Sequence, residues 1–305
     1  MKIGIPRALL YYKNEKFWTT FFDTLGIEYI VGPETTKEII SRGTHLSVDE
    51  TCLPTKILLG QVDWLIGKCD YVFLPRVEFS HGYGMCTKFL AQTDLVANVF
   101  RGRDIKLLFY NIGNKKLLTE RKAVLNMGKY LGLKSANVKY AYNVAKQAQQ
   151  YFEVFRTETQ EKTLRETDKI KVLVVAHAYN IGDAYIGRPI LRSLAELGAE
   201  PIIAEYADAG LCIRASKEVT STMPWAYNRH LIGAIQLMKD KVDGVVLLTT
   251  FPCGPDSMVN ELIVREYARL PIIILTIDSQ DATAGMETRL ESFIDIINFK
   301  REGAQ

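Results

Sequence analysis

Three cysteines stand where this chain could present soft metal ligands: Cys52 in Glu50-Thr51-Cys52-Leu53-Pro54, Cys86 in Gly84-Met85-Cys86-Thr87-Lys88, and Cys253 in Phe251-Pro252-Cys253-Gly254-Pro255-Asp256-Ser257. Each follows an apolar, strand-like run or sits in a turn marked by glycine or proline. Thiolates hold iron–sulfur clusters, and three thiolates with a water also suit zinc. No short C-x-x-C pair occurs, so a shared site has to be assembled by folding. Zinc, which favours paired short spacings, ranks below iron on that ground. The plain alternative is three thiols packed as small hydrophobes.

Other residues near these cysteines could add acid–base chemistry or merely support the fold. Glu78, Ser80 and His81 precede Cys86, where Glu78 and His81 could ligate or protonate a group at the site; as loop residues they would otherwise be solvated. Ser257 could hydrogen-bond a cluster sulfide or substrate, although capping a helix is the stronger reading. His177 follows the apolar run Lys171–Ala176 and is a candidate to line a cleft. Asp278 and Asp281 follow the last strand-like run and could orient loops or accept a proton. Arg7 and Arg188 are equally suited to an anion or to salt bridges. Cys69 lies just before a strand-like run, on its amino side, and Cys212 is expected in a loop.

The elements that would position these residues alternate in type. Strand-like runs fall at residues 2–5, 27–31, 71–74 and 105–110, and again at 171–176, 201–204, 244–248 and 271–275. Helical periods fall between them, at 17–25 and 55–66 in the first half and at 190–197, 229–239, 257–268 and 287–297 in the second. The aromatic stripe Phe17, Trp18, Phe21 and Phe22 reads as core. This alternation is the pattern of parallel sheets with crossover helices, and the near-continuous apolarity of the later runs fits strands covered on both faces. Residues 142–169, with Val144, Ala148, Tyr151, Phe152 and Phe155 on one face, read as a long amphipathic helix joining two domains, 1–168 and 169–305. In open parallel sheets ligands collect beyond the carboxyl ends of the strands, and Cys86 and Cys253 both follow such ends.

Composition narrows the function classes. A chain of 305 residues, 48% apolar and 24% charged, can bury two cores of ordinary size. A net charge of +3 from 38 basic and 35 acidic residues argues against a nucleic-acid partner. The opening residues are too short an apolar stretch for a signal peptide, and no run of about 18 apolar residues appears, so a cytoplasmic protein without a membrane partner is expected. Five cysteines at irregular spacing fit thiols or metal ligands better than a disulfide framework. No G-x-x-x-x-G-K-[ST] phosphate loop, G-x-G-x-x-G fingerprint or G-x-S-x-G elbow is present.

Taken with Lys2-Ile3-Gly4-Ile5-Pro6-Arg7 and with Thr276-Ile277-Asp278 followed by Thr288-Arg289-Leu290-Glu291-Ser292-Phe293, the cysteine contexts resemble the β-type subunits of the 2-hydroxyacyl-CoA dehydratases. They resemble more closely the stand-alone acyl-CoA dehydratase activase-related proteins, over nearly the whole chain. The resemblance implies two Rossmann-like (flavodoxin-like) domains with mainly parallel sheets. It further implies one 4Fe-4S cluster per subunit, held in the interdomain cleft by Cys52, Cys86 and Cys253 with the fourth iron open. Thr87 departs from the proline that relatives often carry after the second cysteine. In the resembling dehydratases an ATP-dependent activase, an ATPase with its own iron–sulfur cluster, delivers one low-potential electron that reduces a thioester carbonyl and allows a hydroxyl group to leave. A low-potential reductase or dehydratase-like component acting on a small-molecule substrate is therefore expected, and a homodimer would suit a two-fold symmetric activase. The alternative is a non-enzymatic electron-transfer or interaction protein with a structural cluster. The chain is shorter than the usual dehydratase subunits, and its cysteines are too few for the double-cubane cluster of a further relative.

Overall fold

The computed structural model describes residues 1–113, 118–280 and 285–303; Asp281 lies outside them. The chain divides into two compact units, Met1–Val154 and Phe155–Gln305. In the first, β1 (Lys2–Ile5), α1 (Leu10–Thr24), β2 (Glu28–Val31), α2 (Lys37–His45), α3 (Leu53–Leu65) and β3 (Tyr71–Val77) come first. A small hairpin, β4 (Phe79–Ser80) and β5 (Tyr83–Gly84), separates β3 from α4 (Thr87–Val99), which is followed by β6 (Leu107–Ile112) and α5 (Glu120–Tyr130). The long helix α6 (Ser135–Glu166) runs across the division between the units. The second unit contains β7 (Ile170–Val175), α7 (Ala178–Ile181), α8 (Gly187–Glu196), β8 (Ala199–Ile203) and a 3-10 turn at Ala204–Tyr206. It continues with α9 (Ala209–Val219), α10 (Ala226–Met238), β9 (Gly244–Thr250), α11 (Gly254–Glu266), β10 (Ile272–Ile277) and α12 (Met286–Glu302).

Each unit holds a four-stranded parallel sheet, ordered β2-β1-β3-β6 in the first and β8-β7-β9-β10 in the second. Counted within its own unit, the strand order is the same in both: second, first, third, fourth. The protein is thus α/β with mainly parallel, Rossmann-like sheets, as the alternating pattern predicts. All eight strand-like runs of the sequence become strands of these sheets.

Burial explains the elements. In α1, Phe17, Trp18, Phe21 and Phe22 form one buried face against the first sheet, with Trp18 4.6 Å from both Phe73 and Tyr110, ring centre to ring centre. In the second unit every residue of β9 is buried, which accounts for its unbroken apolarity. The expectation for α6 needs correction. Tyr151 and Phe155 are 75% and 54% exposed, whereas Val138, Ala141 and Ala145 pack into the first core. Small residues let that part of the helix approach its neighbours closely, so the larger side chains do not mark the buried face. Helices α2, α4, α5 and α9 and the β4–β5 hairpin are elements the periodicity does not announce.

One close approach fixes the helix that carries Cys52. Helices α2 and α3 cross at Gly43 and Gly60: a Cβ on Gly43 would lie 1.7 Å from the Lys56 carbonyl oxygen, and one on Gly60 would lie 2.0 Å from that of Ile39. Backbone, not a flexible side chain, occupies both positions, so even one added methyl forces the helices apart. Gly60→Ala should lower stability by about 1–3 kcal/mol or more, read as a drop in melting temperature. An unchanged melting temperature would show that the crossing is looser than described.

Candidate functional site

Cys52, Cys86 and Cys253 occupy the same kind of position: each is the N-cap of a helix, α3, α4 and α11 respectively, with extended backbone. Their sequences explain this. Pro54 and Pro255 fall in the first turns of α3 and α11, where the missing N–H would have no helical partner anyway. None of the three sulfurs caps its helix by a hydrogen bond to the first turn. The Cys52 Sγ instead lies 3.2 Å from the Thr55 Oγ1. All three side chains are partly exposed, and none is in a disulfide.

Parallel topology fixes where these caps lie. Helix α4 leaves the carboxyl end of β3 through the hairpin and leads to β6, and α11 leaves the carboxyl end of β9 and leads to β10. Cys86 and Cys253 are therefore topological equivalents, each following the third strand of its unit. Helix α3 runs back towards the start of β3, so its first residue lies beyond the carboxyl edge of the first sheet. Each sulfur stands at the positive end of a helix dipole, which favours negative charge there by about 0.3–1 kcal/mol.

A buried polar side chain braces each of these helices. On α3, the Gln61 amide nitrogen donates to the Pro33 carbonyl at 2.9 Å and its Oε1 accepts from the Arg7 N–H at 3.4 Å, joining the helix to the loops after β2 and β1. On α4, Gln92 Nε2 donates to the Pro75 carbonyl of β3 at 3.0 Å. On α11, Asp256 is 6% exposed and binds three elements at once. Its Oδ1 lies 2.8 Å from His177 Nε2 and accepts from Asn228 Nδ2 on α10 at 2.9 Å, while its Oδ2 accepts from Thr249 Oγ1 on β9 at 2.8 Å. Asp256 is three residues beyond Cys253, so this network holds the cysteine-bearing turn against the ends of β7 and β9.

The remaining sequence candidates have well-defined local surroundings. Glu78 is ion-paired to Arg76 at 2.7 Å, and its backbone carbonyl accepts from the Met85 N–H, next to Cys86. His81 is exposed at the tip of the β4–β5 hairpin, where His81 and Gly82 both have positive φ, 51° and 82°. That pairing is typical of a tight two-residue hairpin turn. Ser80 Oγ lies 3.0 Å from His81 Nδ1. The Ser257 hydroxyl does not cap the helix as expected; it donates back to the Cys253 carbonyl at 2.8 Å. His177, the N-cap of α7, is 4% exposed and stacks on Tyr179. Arg7 donates to the Gly32 carbonyl at 3.0 Å and lies 3.9 Å from Glu34, a structural tie. The Asp278 carboxylate accepts from the Ser279 backbone N–H and hydroxyl. Cys212 is not in a loop but wholly buried inside α9, and Cys69 sits at the amino end of β3, where burial pushes its thiol pKa up. Sequence reasoning missed Gln61, Gln92, Asn228 and Thr249, while Asp256 stood unassigned in a quoted motif.

Among the described residues no cluster of three or more His, Cys, Asp or Glu side chains forms a metal site. Cys52 and Cys86 belong to the first unit and Cys253 to the second. Each of these partly exposed thiols at a helix N-terminus is, taken singly, a soft donor of the kind that iron–sulfur clusters and zinc accept. No helix among the described residues is long and apolar enough to cross a membrane.

Fold and site together define a Rossmann-like α/β protein in which three of the five cysteines begin helices at the carboxyl edges of its sheets. Over residues 2–206 the chain matches the CoA enzyme activase uncharacterised domain (DUF2229), and it belongs to that family. The match takes in Cys52, Cys86 and His177 and ends before Cys253. Among curated proteins none matches the chain.

The Asp256 network makes a pH-dependent contribution to stability. Burial opposes ionisation of Asp256, but the adjoining His177 ring and the hydrogen bonds from His177, Thr249 and Asn228 outweigh it and hold the pKa down to about 2. Because the folded value lies below the unfolded one, the contribution is complete above about pH 4 and is lost as pH falls towards about 2, on the order of 2 kcal/mol in all. In urea titrations, the stability gap between wild type and Asp256→Asn should narrow across that range. A gap that stays constant would mean that the carboxylate is not held ionised.

Proposed function

We propose that this member of the CoA enzyme activase family is an iron–sulfur component of a CoA-enzyme activation system, with Cys52, Cys86 and Cys253 together holding one 4Fe-4S cluster per chain. The observation that carries the reading is the shared placement of these three cysteines as helix N-caps beyond the carboxyl edges of parallel sheets. Cys69 and Cys212 lack it. Bound through three thiolates, such a cluster carries single electrons and leaves one iron open to a ligand other than cysteine.

The chain's own residues supply the setting. All three cysteines stand at helix N-termini, where the first-turn N–H groups have no helical partner. Gln61 ties α3 to the loops after β1 and β2, and Gln92 and Asp256 tie α4 and α11 to strands, so the sulfurs are presented from braced elements, as a ligand set of defined geometry requires. The sequence lacks a phosphate-binding loop, and ATP hydrolysis is assigned to a partner, an ATP-dependent activase with its own cluster. The activity proposed is that of a low-potential, dehydratase-like reductase that takes electrons from that activase and passes them to a small substrate at the open iron. His177, bonded to Asp256 within the braced turn, serves to position Cys253, and Glu78 serves to position the loop before Cys86.

Purified anaerobically, Cys52→Ala, Cys86→Ala and Cys253→Ala should each lose the brown chromophore and most of the bound iron, while Cys69→Ala and Cys212→Ala keep both. Dependence on Cys212 would indicate four thiolates and remove the open iron. Retention of iron by any of the first three variants would overturn the ligand assignment. Reduction of small acceptors by the pure protein, driven by an activase and ATP, separates the reductase from a structural-cluster protein.

A further inference from the structure

At the carboxyl end of β1 and beside the middle of β3 the first unit has a small, partly open pocket of about 10 Å³, whose walls include Ile5, Leu58, Phe73 and Leu74 together with Trp18 and Gln92. That is the room needed by one water molecule, and too little for a larger ligand. The apolar side chains alone would favour a dry void. Two polar atoms change its character. Trp18 Nε1 and Gln92 Oε1 are both buried, and neither has a hydrogen-bond partner among the described residues. One can only donate and the other can only accept.

Neither group is free to satisfy itself by turning. The Trp18 indole is held between Phe73 and Tyr110, each 4.6 Å away. Gln92 donates through Nε2 to the Pro75 carbonyl at 3.0 Å, which assigns its two amide atoms and commits Oε1 to the opposite side. Tyr11 also lines the cavity, but its hydroxyl donates to Glu15 at 2.6 Å. Two buried orphan groups of complementary type, on residues that line one water-sized pocket, call for a small molecule that both donates and accepts.

We infer that this cavity binds one ordered water, which accepts a hydrogen bond from the Trp18 indole N–H and donates one to Gln92 Oε1. The water links α1 to α4. Since Gln92 is already bonded to β3, it completes a cross-brace behind the helix whose N-cap is Cys86. Packing and hydrogen-bond chemistry alone call for this water, whether or not a cluster is bound.

The test uses the full-length protein labelled with ¹⁵N at the indoles of its three tryptophans, Trp18, Trp64 and Trp225. The Trp18 signal is identified by its loss in Trp18→Phe, or by elimination with Trp64→Phe and Trp225→Phe should that variant fail to fold. The Trp18 indole proton should show a dipolar cross-peak to water with the sign of a long-lived contact. Gln92→Leu should abolish that cross-peak, and Gln92→Glu, which keeps an acceptor oxygen, should retain it. A wild-type protein without the cross-peak, or a cross-peak that survives Gln92→Leu unchanged, overturns the assignment. If Gln92→Leu does not fold, the wild-type cross-peak alone decides.

Discussion

A helix that begins where a parallel strand ends cannot choose which pole it presents. The chain of strand, turn and helix puts the unpartnered N–H groups of the first turn at the carboxyl edge of the sheet, and with them the positive end of the dipole. In both sheets of this protein the third strand is followed by such a helix, and in both a cysteine begins it: Cys86 before α4 and Cys253 before α11. Cys52 reaches the same edge of the first sheet through α3, which runs back towards β3. The chemistry open to these sulfurs follows from that placement, because it is where negative charge is favoured and where loops converge.

Placement would mean little if the helices could slide. The core keeps three polar side chains that prevent it, and each acts through bonds to a different strand end or loop. Gln61 fastens α3 to two loops, Gln92 fastens α4 to β3, and Asp256 fastens α11 to β9, α10 and His177 just beyond β7. A buried carboxylate is tolerable only when its lone pairs are satisfied, and removing any one donor leaves charge or dipole stranded in a poor solvent. These side chains therefore give the site rigidity more than they give the fold net stability. The crossing of α2 and α3 at Gly43 and Gly60 adds the same constraint through backbone contact.

Much of the scaffold was legible in the sequence, and the reasons are physical. Strands buried on both faces leave uninterrupted apolar runs, so β7 and β9 could be read directly, and the aromatic stripe of α1 could belong only to a core. Helix α4 buries Phe89, Gln92, Thr93 and Val96, two of them polar, and so leaves no apolar stripe to recognise. Helix α9 buries Cys212, Ile213, Ala215 and Ser216, a set with a single large apolar side chain. In α6, size misleads: Tyr151, Phe152 and Phe155 are exposed while alanines are buried. The cysteine positions could be read from their proline and glycine flanks. The braces could not, since nothing local distinguishes Asn228 or Thr249 from any surface amide or hydroxyl. Their meaning arises only when folding brings them to Asp256.

The proposed role depends on those three thiols acting together, and metal and acid-labile sulfide analysis of the anaerobically isolated wild-type protein, with electron paramagnetic resonance of its reduced form, addresses that most directly. About four iron and about four sulfide per chain are predicted, with the signal of a reduced cubane. Protein that contains zinc, or neither metal nor sulfide, with no such signal, would contradict it.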